Sequence, residues 1–403
     1  MFYKFALYGF LKNFRFFDPF LILFFRETGL SFLQIGIIIA VRDISTNILE
    51  IPTGIYADAF GRRKSMVMAS ISYIASFFIF FWVPNYYFFA GAMVLFGLGE
   101  AFRSGTHKAM ILEYLRIQNM ESKKVEYYGR TRAASELGSA VSSVMAAALV
   151  FYSGSYKYVF LASVIPYMVN LVNLATYPEE LDGEIASTAK NVKEQLQNTV
   201  QDFIHIFRSL IAIRAIVNSS VFKAYFKITK DYLQPIVKSF ALSLPLFVAL
   251  EETRRVAVVV GVVYFCIYLS TSYASRSSAQ VSTHFKDLAS AVNVTYIAGG
   301  IFLLVAGLST AYNIEIMAIA VFFFFYLLYN VRRPMTVSYV SDQISHRTMA
   351  SGLSVESQVT TILQAGIAVA IGGLADAFGV GTAIFIMGIV MVVGYPVIRV
   401  RDG

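Results

Sequence analysis

The sequence predicts an all-α integral membrane protein with about twelve transmembrane helices. Of its 403 residues, 57% are apolar and only 14% are charged, and the mean hydropathy is +0.63. In soluble proteins about a quarter of the residues are charged. Apolar runs such as 65–83, 289–308 and 380–398 also approach the ~20 residues that cross ~30 Å of hydrocarbon. A lipid environment accommodates this composition, and a soluble core of this size does not.

Polar breaks between the apolar runs divide the chain into its spans. We place them near 3–25, 32–56, 65–83, 86–111, 133–152, 157–177, 213–237, 255–275, 288–308, 314–335, 350–373 and 380–398. The first run has no small-residue cleavage site after it, so we expect it to be retained as a membrane span rather than removed as a signal peptide.

The basic residues indicate the orientation. The formal net charge is +8, and the bases concentrate in alternate loops, which is the pattern of the positive-inside rule rather than of nucleic-acid binding. The opposite loops carry only Arg26, Lys157, Lys238, Arg254 and Arg255. We therefore expect cytoplasmic N- and C-termini, an even number of spans, and no nucleic-acid partner.

A polar stretch divides the chain into two halves. Residues 178–212 lie midway and contain apolar residues at helical spacing, which predicts an amphipathic helix on the cytoplasmic membrane surface. The predicted organisation is a six-helix half at 1–177, a linker at 178–212 and a second six-helix half at 213–403. Similar segments in the two halves, such as Gly99–Arg103 and Tyr329–Arg333, fit a parallel half-repeat.

The loop after the second span carries a specific motif. Residues Gly54–Lys64 read GIYADAFGRRK, which resembles the G-x-x-x-D-x-x-G-R-[KR] signature of the major facilitator superfamily in the same loop. With twelve spans and a central linker, the resemblance covers the whole chain. It implies the fold of that superfamily and secondary transport by alternating access. The equivalent loop after the eighth span, Ala274–Ser278, has lost the motif.

The resemblance also implies roles for the motif residues. Gly54 would allow a neighbouring helix to approach closely, and Gly61 would allow a tight turn. Asp58 would accept hydrogen bonds from a helix N-terminus and help to close the cytoplasmic side. Arg62 would hold the loop at the cytoplasmic face. We therefore predict that Gly54, Asp58, Gly61 and Arg62 form a gating motif.

Charged residues inside the apolar spans are the candidate site residues. An ionisable group at mid-membrane is costly, so such residues face a bundle interior. They are concentrated on spans one, four, seven and ten, which line the central cavity in the resembling superfamily. We predict substrate contacts from Lys12, Arg15, Arg103, Lys223, Lys227, Lys230, Gln234 and Asn330. The candidates for proton coupling are Asp18, Glu100 and Asp231.

The bases outnumber these acids, which predicts an anionic substrate because a buried positive charge without a partner is costly. We expect a secondary transporter, driven by an ion gradient with the proton as the favoured ion, in a prokaryotic cytoplasmic membrane. We expect a monomer that contacts membrane lipid and a small solute. A proton-coupled multidrug efflux pump is the alternative, although the fifth span lacks the glycine-rich G-P-x-x-G-G stretch of drug/proton antiporters. An integral-membrane enzyme or a channel is a more remote alternative.

The sequence predicts no enzyme, no cofactor and no metal site. It contains neither a nucleotide-binding G-x-x-x-x-G-K-[ST] loop nor an HExxH or GxSxG motif. The single cysteine, Cys266, excludes an internal disulfide, a multi-cysteine zinc site and an iron–sulfur cluster.

Overall fold

The computed structural model describes residues 1–120, 123–182, 209–246, 248–343 and 349–400. These residues form α-helices joined by short turns, with no β-strand among them. The helices are α1 (Phe2–Leu11), α2 (Leu21–Glu27), α3 (Phe32–Phe60), α4 (Arg62–Trp82), α5 (Tyr86–Arg103), α6 (Thr106–Ile117), α7 (Lys124–Ser153), α8 (Tyr158–Ala175), α9 (Leu210–Thr229), α10 (Leu233–Ser243), α11 (Glu252–Arg276), α12 (Ser278–Ser282), α13 (Leu288–Ala311), α14 (Glu315–Asp342), α15 (Met349–Phe378) and α16 (Val380–Ile398).

Nine helices in the described part of the chain are long and apolar enough to cross a membrane, namely α3, α4, α7, α8, α11, α13, α14, α15 and α16. The first, fourth and seventh predicted spans are each built from two shorter helices, α1 with α2, α5 with α6 and α9 with α10. The predicted all-α membrane fold of about twelve spans is thereby confirmed.

The three divided spans differ from the continuous helices that the sequence predicts. Helix α1 ends at Leu11, and Pro19 lies in a separate 3₁₀ turn, Asp18–Phe20, where its missing N–H is tolerated. Gly105 separates α5 from α6 with φ +71°, a conformation that favours glycine. A 3₁₀ turn, Lys230–Tyr232, separates α9 from α10, and Pro235 follows in the first turn of α10, where its missing N–H is tolerated.

The described helices group into two compact units. Unit 1 comprises Met1–Gly29, Val41–Val192 and Pro245–Leu269, and unit 2 comprises Leu30–Ala40, Lys193–Leu244 and Ser270–Gly403. Helix α3 therefore contributes residues to both units. The predicted boundaries at 177 and 213 stay a prediction, and most of the predicted linker helix, 183–208, lies outside the described residues.

Each unit has its own apolar core. In unit 1, stacked and edge-to-face phenylalanines join several helices, with Phe17 parallel to Phe160 at 5.2 Å between ring centroids and Phe24 and Phe80 against the same ring. In unit 2, Ile216, Val292 and Met335 belong to one buried cluster. These cores hold the backbone that carries the charged side chains.

Candidate functional site

The helix breaks place charged side chains within the membrane-spanning bundle. Lys12 and Arg15 lie in the turn between α1 and α2, and Glu100 and Arg103 lie in the last turn of α5. Interrupted helices expose polar backbone groups to a cavity or a buried polar surface, and transporters commonly have solute sites at such places. The described residues include a polar pocket in each unit.

The Glu100 cluster, which consists of Arg15, Glu100 and Arg103, lies in unit 1. The carboxylate of Glu100 accepts a hydrogen bond from Arg15 on one oxygen and from Arg103 on the other. Arg15 Nε also donates to Tyr167 Oη at 2.9 Å, and Arg103 Nε donates to Tyr73 Oη at 3.3 Å. The structure thus brings three predicted site residues together, with two guanidinium groups to one carboxylate.

A small pocket of about 10 Å³ adjoins this cluster. It is lined by two bases and several polar side chains, namely Lys12, Arg103, Tyr8, Tyr73, Tyr167, Asn170 and Ser70, together with Met66 and Ala69. The hydroxyl of Tyr8 and the Oδ1 atom of Asn170 are buried and have no hydrogen-bond partner in the described part of the chain. Because buried polar atoms are normally paired, these two atoms are available to a ligand.

The second pocket, of about 100 Å³, lies in unit 2 and is partly open. Its lining holds three bases and one acid, with residues from α9, α14 and α15: Ser219, Phe222, Lys223, Tyr329, Arg332, Arg333, Thr336, Val337 and Glu356. We call it the Arg332 pocket. Of the predicted substrate contacts, Lys223 is the one that lines it.

Arg332 has an unusual environment for an arginine. Its side chain is only 1% exposed, and its guanidinium donates to the carbonyl oxygen of Val292, to Thr295 Oγ1 at 2.7 Å and to Asn218 Oδ1 at 2.5 Å. The guanidinium carbon lies 4.4 Å from the centroid of the Phe222 ring. All these partners are neutral, and no carboxylate forms an ion pair with Arg332 among the described residues. Three of its five N–H donors have these partners, but within the described residues its charge is not balanced.

Glu356 is the acid of the Arg332 pocket. Its side chain is 8% exposed, and its carboxylate accepts a 2.7 Å hydrogen bond from Ser219 Oγ and lies 3.7 Å from Lys223 Nζ. Glu356 is not among the predicted site residues, because a single acid in an apolar span also suits helix packing. Its proximity to Lys223 could be found only in three dimensions.

The other predicted contacts of the seventh and tenth spans do not line the Arg332 pocket. Lys230 Nζ pairs with Asp231 at 2.6 Å, Gln234 is fully buried, and Asn330 Nδ2 donates to the carbonyl of Tyr326 at 2.9 Å. Lys227 is exposed. The 3₁₀ turn Lys230–Tyr232 interrupts the helix between Lys223 and Gln234.

The motif after the second span forms a well-defined turn. Gly61 has φ +97°, which allows α4 to begin directly after α3. The Arg63 backbone N–H donates to Asp182 Oδ1 at 2.6 Å, and the Arg63 guanidinium pairs with Glu179, also at 2.6 Å. Arg62 lies 3.9 Å from Glu113. The motif is thus fixed to the residues that follow α8.

The two remaining motif residues make few contacts. A Cβ placed on Gly54 would meet nothing within 4 Å, so the close helix approach expected there is not seen among the described residues. Asp58 is half-buried and makes no hydrogen bond or ion pair within the described residues. Their gating roles stay predictions.

Several pocket residues gave no signal in the sequence. Tyr73, Tyr167 and Thr336 are of types that are common in apolar helices, and only their position at the pockets marks them. Asn170 could have been noticed as an amide in the middle of the sixth span. Within the described residues, no group of three or more His, Cys, Asp or Glu side chains is placed to hold a metal ion.

About twelve helical spans, with a basic pocket in each unit, are typical of a multi-pass membrane transporter. The family model described as Major Facilitator Superfamily matches residues 9–355. The chain therefore belongs to the Major Facilitator Superfamily, and the resemblance seen in the motif is confirmed.

Individual relatives agree with this membership. Over 90 residues the chain is 30% identical to the uncharacterized MFS-type transporter YxaM of Bacillus subtilis (strain 168), a match that spans 22% of this chain and 23% of that protein. The fold is similar to that of the nucleoside transporter NupG, with TM-score 0.76, 12% identity and 100% and 99% of the two chains covered. It is also similar to the D-xylose-proton symporter, with TM-score 0.74, 14% identity and 100% and 97% covered.

Proposed function

We propose that the protein transports a small anion, or an organic solute with an anionic group, across the prokaryotic cytoplasmic membrane by alternating access. The observation that carries this proposal is the buried guanidinium of Arg332, which has only neutral partners within the described residues. An uncompensated charge in a region of low dielectric constant is costly, and an anion in the adjacent pocket would relieve that cost.

The pocket has the chemistry to bind such a group. Arg332 offers a planar set of N–H donors that suits carboxylate or phosphate, while Lys223 contributes a compact positive charge. Both line the same pocket with the hydroxyls of Ser219 and Thr336, which can donate further hydrogen bonds. An anion bound there would have charge compensation and directional contacts at once.

Unit 1 also has two bases at its pocket, of which Arg103 is already paired with Glu100. Its pocket is lined by Lys12 and Arg103 and, among the residues that the structure describes, by no acid. The Tyr8 hydroxyl, which has no hydrogen-bond partner within the described residues, could donate to a solute, and Asn170 Oδ1 could accept from one. The two solved structures named above belong to transporters of nucleosides and of D-xylose by their names, which fits a small organic solute here.

We propose the proton as the coupling ion, with Asp18, Glu100 and Asp231 as the first candidates for carrying it. Glu356 joins them because it faces one lysine at 3.7 Å and a neutral hydroxyl, whereas Glu100 is held by two arginines. Protonation of Glu356 would free Lys223 to bind the substrate anion. Binding and protonation would then be linked at one site.

The multidrug alternative has one observation in its favour, an aromatic wall in unit 2. Tyr329 lines the Arg332 pocket and stacks on Phe226 with the ring centroids 3.8 Å apart. Such a wall could hold a lipophilic ligand. A lipophilic drug that is cationic, however, would meet three bases in that pocket.

The test is transport by purified protein in proteoliposomes. We would first screen small anions, sugars, nucleosides and lipophilic cations for thermal stabilisation, since a ligand of the folded state raises apparent stability by mass action. Saturable uptake of a stabilising anion, lost on collapse of the proton gradient, is the expected result. Lys223→Gln should abolish it, while Arg214→Gln, an exposed base on the same helix α9 outside the pocket, should leave it unchanged. Stabilisation only by lipophilic cations would refute the anion proposal.

A further inference from the structure

The end of helix α15 repeats the motif found at the end of helix α3. Residues Gly54–Gly61 read GIYADAFG, and residues Gly372–Gly379 read GGLADAFG. In both places a glycine with positive φ, +97° at Gly61 and +84° at Gly379, ends the helix and the next helix begins at once. The aspartates Asp58 and Asp376 therefore occupy equivalent positions on two different membrane-spanning helices.

Asp376 binds the N-terminus of helix α3. Its Oδ1 atom accepts the backbone N–H of Phe32 at 2.8 Å, and its Oδ2 atom accepts that of Leu33 at 2.7 Å. These are the first two N–H groups of α3, which have no partner inside the helix. The carboxylate also lies at the positive end of the helix dipole.

The rest of this helix end is satisfied by a local capping box. Gln34 N–H donates to Ser31 Oγ at 3.2 Å, and Ser31 N–H donates to Gln34 Oε1 at 2.9 Å. Asp376 thus accepts hydrogen bonds from the N–H groups of Phe32 and Leu33, which the capping box does not satisfy. The backbone N–H groups of residues 31–34 therefore all have side-chain hydrogen-bond acceptors.

Glycines bring the two helices into backbone contact near Asp376. A Cβ on Gly372 would overlap the carbonyl oxygen of Phe32, and a Cβ on Gly36 would overlap that of Ala368. At Gly373, by contrast, a Cβ would make only an ordinary contact, 3.7 Å from the Leu33 side chain. Close packing here therefore depends on glycine at two specific positions.

The two equivalent aspartates are in different states. Asp376 is engaged, whereas Asp58 makes no hydrogen bond or ion pair within the described residues. Asp58 lies 26 residues after Phe32 on the same helix, which corresponds to roughly 40 Å at 1.5 Å per residue. Asp376 contacts the N-terminal end of α3, and Asp58 lies near its C-terminal end. The two aspartates therefore lie at opposite faces of the membrane.

We propose that Asp376 is a reversible latch, which holds the first turns of α3 against α15 while that face of the transporter is closed and releases them when it opens. Asp376 is solvent-exposed, so water can replace its two hydrogen bonds at modest cost. Asp58 acts at the other face in the opposite state. The latch rests on alternating access as given under the proposed function, and it adds a gating residue that the motif after the second span does not contain.

The test is cross-linking in native membranes without substrate. In a Cys266→Ser background, the pair Leu33→Cys and Gly373→Cys reports how often this end is closed, and the initial rate of oxidative cross-linking is measured. Asp376→Asn should lower that rate roughly five-fold, the factor for about 1 kcal/mol of exposed charge–helix interaction. Asp342→Asn, an exposed acid at the end of α14, is the matched control and should leave the rate unchanged.

A second variant keeps the test decisive if Asp376→Asn does not fold. Gly372→Ala leaves the carboxylate in place but separates the helices, so it should also lower the rate, whereas Gly366→Ala, whose Cβ would meet no atom within 4 Å, should not. A parental rate in folded Asp376→Asn, or in Gly372→Ala, would overturn the latch. Because the assay uses neither substrate nor gradient, it succeeds or fails independently of the anion proposal, which the uptake experiment decides.

Discussion

Replacing Arg332 by methionine tests whether its buried charge serves binding rather than stability. Methionine has a similar length and fills the apolar part of the site, but it removes the guanidinium. In the structure this side chain is 1% exposed and has three neutral hydrogen-bond acceptors. We expect Arg332→Met to fold with nearly unchanged stability and to lose anion binding.

The expected change in stability follows from opposing terms. Loss of the contact with the Phe222 ring costs about 2 kcal/mol at a desolvated site. Asn218 Oδ1 loses its donor, which costs about 1–3 kcal/mol. Thr295 Oγ1 keeps its own hydrogen bond to Ala291. Removing a buried, unbalanced charge returns several kcal/mol, so the free energy of unfolding should change by no more than about 2 kcal/mol.

The expected loss of binding is larger. A hydrogen bond to a charged group contributes roughly 1.5–3 kcal/mol, so losing one such bond to the anion raises Kd roughly ten- to a hundred-fold. The assay is thermal unfolding of purified protein at increasing concentrations of whichever small anion stabilises the parent, with phosphate, sulfate and citrate as the first probes. Arg214→Met is the matched control on an exposed surface.

Two results would refute this reasoning. If Arg332→Met were stabilised by the anion as strongly as the parent, the guanidinium would not contact the ligand. If the variant instead lost more than about 4 kcal/mol of stability in the absence of anion, Arg332 would be a structural element of unit 2, since losses of that size indicate a broken core.

Three further predictions address other parts of the molecule. Glu100→Gln should destabilise unit 1 by roughly 3 kcal/mol, because it leaves two guanidinium groups together without an acid. Adding Arg103→Gln should recover part of that loss in a double-mutant cycle. Strictly additive effects of the two substitutions would contradict the proposed interaction of Glu100 with the two arginines. Glu356→Gln should retain anion binding in thermal-shift titrations but make uptake insensitive to an imposed pH gradient; uptake that still follows the gradient would remove Glu356 from coupling. Gly61→Ala should lower the free energy of unfolding by about 1–3 kcal/mol, because the backbone conformation at Gly61 is essentially restricted to glycine. Gly54→Ala, in open space within a helix, should raise it by roughly 0.5–1 kcal/mol. Equal effects of the two variants in thermal unfolding would contradict the turn geometry.

The gating motif illustrates how far sequence similarity within one chain can be used. Residues Gly54–Lys64 were recognisable because the motif and its loop are both known for the family. The second copy at Gly372–Gly379 is equally clear once the Asp376 contact to α3 is seen. The position of this second copy gives no indication of its role until its contact with α3 is known.

The sequence by itself determined the fold class, the approximate position of the spans and the superfamily. These properties depend on local composition, because a lipid-crossing helix must be apolar over about 20 residues wherever it lies in the chain. The same reasoning predicted Arg15, Glu100 and Arg103 as site residues, since charged residues are easily recognised among apolar neighbours.

The tertiary structure alone decided which charges are balanced. Arg332 and Lys223 are both bases in apolar helices, yet one has only neutral partners among the described residues and the other lies beside Glu356. The structure also divided the first, fourth and seventh spans, and Lys230 and Asp231 are not among the residues that line the Arg332 pocket. The pairing of a charge depends on residues distant in sequence, and the low dielectric constant of the interior makes that pairing decisive for what the site can bind.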